Sequence, residues 1–297
     1  MSMRRGYLYL VIAFFFWGSL YVVNKYVMDY VPPLTLHLFR QIIAVGVLYL
    51  MARRKGLVSI PKHHWPFILA MGPLAYFVAP GMQNMATNLM NASMASLLNT
   101  MNPLFICLFA VIFLKEEMTK RKTAGVLLSF VGVAVVLGVT TDGGVSLRGF
   151  FFALLSVLGW SSGTIIIRKL SGGRYSSEQI AFMGMTAALP FSLSASCVEL
   201  QTHALLFDWW AILGVLYLGT LCTALPSVLW NKSLEILPAT SCSQAFPLQP
   251  FFATLLGVIF LHEAITWNFL LGGVLISAGV IIGLSGGKGG KLPEELS

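Results

Sequence analysis

Ala92-Ser93-Met94-Ala95 leads through Asn102-Pro103-Leu104-Phe105 to Phe113-Leu114-Lys115-Glu116. The pattern returns as Ala239-Thr240-Ser241-Cys242, Gln249-Pro250-Phe251-Phe252 and Phe260-Leu261-His262-Glu263. Residues 92–117 and 239–264 therefore read as two versions of one segment. The prolines lie 147 residues apart (103 to 250), and so do the glutamates (116 to 263). A second pair stands near the start of each half: Phe16-Trp17-Gly18-Ser19 against Gly159-Trp160-Ser161-Ser162, with the tryptophans 143 residues apart. In an apolar chain, a half-length repeat with prolines at mid-helix points to a membrane transporter made of two related halves.

The surrounding composition agrees. Hydrophobic residues make up 57% of the 297-residue chain and charged residues 10%, and the mean hydropathy is +0.81. A soluble domain carries roughly 25% charged residues, so water cannot be the solvent for most of this surface. The net charge of +8 is read as basic residues concentrated in loops, where they set membrane topology, and not as a nucleic-acid footprint. Cys107, Cys197, Cys222 and Cys242 show no metal-ligand spacing and are expected to be small buried residues. Residues 1–5 precede an apolar run without a small-residue cleavage site, so the first span is expected to remain as an anchor.

Apolar stretches between turn and charge clusters predict ten spans: 7–27, 34–52, 65–85, 91–114, 122–140, 149–168, 178–198, 209–230, 239–261 and 267–285. Each is close to the ~20 residues that cross a bilayer as a helix. Of the 19 Lys and Arg, only Lys25 and Arg148 fall on the face opposite the termini, and Arg40 lies within a span. Both termini are therefore expected to be cytoplasmic. Five spans per half is an odd number, so the second half must cross upside down. The loop from Lys115 to Lys122 holds four basic residues, and its counterpart from His262 to Asn268 holds none, as inverted repeats require. The expected organisation is a first five-helix repeat over 7–140, a short external linker over 141–148, a second repeat over 149–285 and a cytoplasmic tail over 286–297. The fold class is an all-α integral membrane protein.

The Phe-Trp-Gly-Ser start, Arg40 in the second span, the Asn-Pro and Gln-Pro centres of spans four and nine, and the glutamate closing both together resemble the EamA family of the drug/metabolite transporter superfamily. The resemblance covers about residues 7–285. It implies ten helices in two inverted repeats, with a central cavity lined by spans 1, 3, 4, 6, 8 and 9. It also implies a bacterial exporter of amino acids or other small metabolites in the inner membrane.

The residues themselves point to a similar place. Trp17, Tyr76 and Trp160 are central in spans one, three and six, and Asn102 and Gln249 in spans four and nine. Inverted-repeat transporters hold their substrate at that depth. Asn99 lies one turn from Asn102, and Gln244 lies near Gln249; together the four amides are read as cavity lining, although amides also join helices to one another. Tyr21, Trp230 and Phe246 are placed to stack on a substrate ring or face a cation. Trp65, Trp209, Trp210 and Trp267, near span ends, read as interfacial anchors. Pro103, Pro247 and Pro250 are expected to break their helices, freeing the carbonyls of Asn99, Ser243 and Phe246 for protein, water or ligand. Pro73, Pro80 and Pro226 do the same in spans three and eight.

Every Asp and Glu falls in a loop, tail or span end, whereas family members often carry a glutamate where Asn102 or Gln249 stands. A neutral, zwitterionic or aromatic solute is therefore expected, with quaternary-amine or drug-like cations as the alternative. Arg40 has two readings: it attracts a substrate carboxylate, or it snorkels outward or holds exposed carbonyls, and the second is preferred. Glu116 and Glu263 close equivalent spans and read as solvated helix ends or gating residues. An integral-membrane enzyme would need His, Asp or Glu clustered at one surface, and five scattered histidines give no such cluster. No catalytic residue, metal, cofactor or nucleic acid is expected. The expected partners are a small-molecule substrate and the bilayer, with monomer and homodimer both open.

Overall fold

The computed structural model describes residues 3–114, 120–137, 146–170, 174–237, 242 and 245–285. Among these, all regular structure is helical. The helices are α1 (Met3–Val27), α2 (Pro33–Lys55), α3 (Trp65–Pro73 continuing through Ala79–Leu89), α4 (Ala92–Asn99), α5 (Asn102–Leu114) and α6 (Lys120–Leu137). There follow α7 (Leu147–Leu170), α8 (Ser177–Glu199), α9 (Trp209–Gly219 continuing through Leu225–Ile236), α10 (Leu248–Leu261) and α11 (Trp267–Ser285). Six of them, α1, α2, α3, α7, α8 and α9, are long and apolar enough to cross a membrane.

Side chains are distributed for a lipid solvent. Leu147, Phe151, Leu193, Val198, Phe251, Phe260 and Val274 are exposed, while Asn24, His37, Arg40, Gln41 and Asn84 are buried. A soluble protein keeps such polar groups at its surface. In hydrocarbon they turn inward to find partners. Asn24 Nδ2 donates to Asn84 Oδ1 at 2.9 Å, Asn84 Nδ2 to the Pro33 carbonyl at 3.0 Å, and Gln41 Nε2 to the Met185 carbonyl at 2.8 Å. Cys222 and Cys242 are buried as expected, but Cys197 is exposed, because its position on α8 falls on the face turned away from α2.

Proline sets the bends. A turn of π-helix, Leu74–Val78 in α3 and Thr220–Ala224 in α9, precedes Pro80 and Pro226, which lack the N–H a regular helix would use. Span four does not run unbroken. It divides into α4 and α5 just before Pro103, with Thr100 and Met101 in a tight turn closed by bonds to Leu97 and Leu98. In the ninth segment Pro247 lies in the turn ahead of α10 and Pro250 in its first helical turn, so both prolines begin this helix instead of interrupting it. The expected start at 239 lies outside the described residues.

Charged residues tie helix ends across the two halves. Glu199, ending α8, accepts from Leu34 N at 3.0 Å and from Thr35 N at 2.7 Å, at the start of α2. Glu263, after α10, accepts from Ala92 N at 2.6 Å and Ser93 N at 3.1 Å, at the start of α4. A carboxylate satisfying free N–H groups at the positive end of a helix is favourable, so Glu263 is a cap and not a solvated end. Glu116 lies outside the described residues. Glu178, only 1% exposed, pairs with Lys55 at 3.0 Å and Lys232 at 3.3 Å, joining α8 to the ends of α2 and α9. Helices α6 and α11 pack on each other, with the Ser129 hydroxyl donating to the Ile276 carbonyl at 3.2 Å.

Candidate functional site

Prolines free carbonyls near the centre of the bundle, and neighbouring side chains take them. Asn102 Nδ2 donates to the Asn99 carbonyl, the one Pro103 releases, at 2.8 Å, and to Asn99 Oδ1 at 2.9 Å. His37 Nε2 lies 3.1 Å from the Tyr76 carbonyl, the one Pro80 releases. Gln249 N bonds the Phe246 carbonyl, released by Pro250, at 3.0 Å. Ser243 is outside the described residues. These carbonyls, expected to await protein, water or ligand, are satisfied by the protein.

Around these bends the helices leave a cavity of about 70 Å³, roomy enough for several waters. Its wall takes Trp17 and Leu20 from α1, Arg40 from α2, Tyr76, Pro80 and Gln83 from α3, and Asn99 and Asn102 from α4 and α5. The other half adds Ser156 and Trp160 from α7, Met185 from α8, Cys222, Thr223 and Ser227 from α9, and Phe246 and Gln249 around the start of α10. Of the ten substrate-binding residues expected, seven meet here: Trp17, Tyr76, Asn99, Asn102, Trp160, Phe246 and Gln249. Tyr21 is fully buried in an apolar cluster with Leu20, Leu97 and Leu218 and is not part of the wall. Trp230 is packed on Phe14, Trp17 and Phe246, outside the wall itself. Gln244 lies outside the described residues.

One side of the wall is aromatic. Trp17 and Trp160 meet edge to face at 5.9 Å and 82°, a favoured arrangement for two aromatic rings. Phe14 backs Trp17 at 5.4 Å and Phe246 at 5.2 Å. The wall also carries the amides. Asn99 Nδ2 lies 3.5 Å from Gln249 Oε1, a long contact that links α4 to α10. Small residues after each tryptophan allow the close crossings. A Cβ on Gly18 would lie 3.0 Å from the Gln249 carbonyl oxygen, and the Ser161 hydroxyl donates to the Asn102 carbonyl at 3.2 Å.

Arg40, read from sequence as either attracting a substrate carboxylate or, by preference, snorkelling outward or holding carbonyls, stands in the wall. It does not snorkel: it is 3% exposed, lines the cavity, and donates from Nη1 to Asn84 Oδ1 at 3.4 Å. The available signal was its place on the buried stripe Leu36, Arg40, Ala44, Leu48 of α2, whose four-residue steps follow one helical face. Gln83 was missed, although it follows Tyr76 and Pro80 at helical spacing. Ser156, Thr223 and Ser227 carry no sequence signal that separates them from ordinary small residues of a membrane helix.

The profile of the EamA-like transporter family matches residues 4–138 and, a second time, residues 147–284. The chain belongs to the EamA-like transporter family. It is 26% identical over 278 residues to an uncharacterized transporter of Bacillus subtilis (strain 168), covering 94% of this chain and 91% of the relative. It is also 26% identical over 295 residues to a probable amino-acid metabolite efflux pump of Salmonella typhimurium, covering 96% of each. One solved crystal structure matches with a TM-score of 0.69 at 22% identity, over 95% of this chain and 96% of the other, a likeness of fold alone. This EamA-like chain is thus a multi-pass protein of the cytoplasmic membrane.

Proposed function

We propose that the protein exports a small metabolite, an amino acid or similar neutral, zwitterionic or aromatic solute, by alternating access. The central cavity is its substrate site. The observation that carries this is the make-up of the wall: helices from both halves of the chain contribute, and the α6–α11 pair stays outside. Rocking one half against the other would open such a site to each side in turn. The name of the Salmonella relative supports export and the substrate class. Cation transport is less well supported, because Arg40 lines the cavity and would repel a cation.

The ten-crossing, two-repeat topology with both termini cytoplasmic belongs to the same reading. Its repeats are 7–140 and 149–285, joined by an external linker at 141–148 and followed by a tail over 286–297. The two separate family matches support it. So do paired contacts at 143 to 147 residues, close to the spacing of the sequence repeat. Gly18 against the Gln249 carbonyl mirrors Ser161 against the Asn102 carbonyl. Gly72, packed on Gly184 and Ala187, mirrors Gly219, packed on Arg40 and Ile43.

The test is flux in oriented proteoliposomes loaded with neutral and aromatic amino acids. Saturable, mutually competing efflux is expected. A non-saturating conductance, or chemical consumption of the solute, would contradict the reading.

A further inference from the structure

We propose that the solute carried through this cavity bears a carboxylate and that Arg40 binds it. This rests on the cavity being the transport site and narrows its substrate class. Arg40 is 97% buried by its 3% exposure, and its Nε has no hydrogen-bond partner. Its contact with Asn84 Oδ1 is long, 3.4 Å, and that oxygen already accepts from Asn24 Nδ2 at 2.9 Å. Among the described residues no carboxylate lies within ion-pair distance of Arg40, and none lines the cavity.

A buried charge in a folded protein is normally paired. The other polar groups of the wall, among them Gln83, Asn99, Asn102, Thr223, Ser227 and Gln249, are neutral. Among the described residues the wall thus carries one positive charge with no protein carboxylate against it, and a bound monoanion would cancel it. A carboxylate suits the planar fork of a guanidinium, which can donate to both oxygens at once. The remainder of the solute meets Trp17, Trp160 and Phe246, an apolar and aromatic surface. The ammonium of an amino acid would find amide and hydroxyl oxygens and aromatic faces but no carboxylate among the lining residues, so the carboxylate carries the recognition.

The experiment compares matched acids and amides, which differ chiefly in charge: phenylacetate with phenylacetamide, and indole-3-acetate with indole-3-acetamide. Each is titrated against the purified protein by thermal shift and against efflux in proteoliposomes. In the wild type the acid of each pair is expected to act at about tenfold lower concentration than its amide, as a charge-assisted bidentate contact implies. Arg40→Gln is expected to erase that preference. Arg40→Lys, which keeps the charge without the fork, should retain a reduced one and serves as the reading should Arg40→Gln fail to fold. An amide as effective as its acid, an acid preference that survives Arg40→Gln, or a protein that responds to neither acid would overturn the assignment. Equal action of acid and amide in saturable efflux that Gln249→Leu abolishes would remove Arg40's role and leave the cavity reading standing. Absence of saturable efflux for every solute would remove the cavity reading itself.

Discussion

Asn102 and Gln249 hold matching places in the sequence repeat, yet their amides are not equally free. Asn102 is 1% exposed and spends its Nδ2 on the Asn99 carbonyl and side chain. Gln249 makes one long contact, to Asn99. Replacing Asn102 with Leu strands the part-buried Asn99 carbonyl, at a cost of about 1 kcal/mol or more. Asn102→Leu is thus expected to lower the unfolding temperature and abolish transport, whereas Gln249→Leu should abolish transport with little loss of stability. Thermal unfolding in detergent, paired with flux, reads both. Wild-type flux in both variants would rule out a central site. Seven wall residues were legible in the sequence because a large aromatic or an amide stands out in the middle of an apolar span. Arg40 was not, since its distance from the end of the span allows either an outward or an inward side chain. Tyr21 looked the same as Trp17 in sequence, and only packing separates the buried ring from the one that faces the cavity.

The helix breaks were legible as prolines, but the groups that compensate them were not. Which side chain takes the Tyr76 carbonyl depends on α2 lying beside α3, a tertiary fact. The same holds for the glutamates. In sequence Glu263 closes one span, whereas in the fold it caps another, α4, about half a chain away. Glu263→Ala should therefore destabilise the protein by about 0.5–2 kcal/mol, the range for losing a helix N-cap. Glu199→Ala, which uncaps α2, should do the same. Hydrogen exchange at the starts of α4 and α2 localises the effect, since each substitution should speed exchange only at the helix it uncaps. Unchanged protection at Ala92 and Ser93 in Glu263→Ala would show that the cap contributes nothing.

For the molecule as a whole, composition already dictated the solvent and the helical class. In hydrocarbon, backbone groups must be satisfied within a segment or a closed barrel, and the spans here have helical length. The repeat supplied the organisation, because similar residues recur in the same order at spacings of 143 and 147 residues. The presence of Arg40 and Met185 in the cavity wall could not be read that way. It depends on the placement of α2 and α8, two helices the repeat motifs do not mark.

The central claim is that one site between the halves meets both sides of the membrane in turn. The direct measurement is the reactivity of Gln249→Cys, in a background with Cys107, Cys197, Cys222 and Cys242 replaced by Ser or Ala, toward an impermeant maleimide added to one face of oriented vesicles at a time. Labelling from either face, slowed by a transported solute, is the expected result. Reaction from one face only, or protection from neither side by any transported solute, would contradict it.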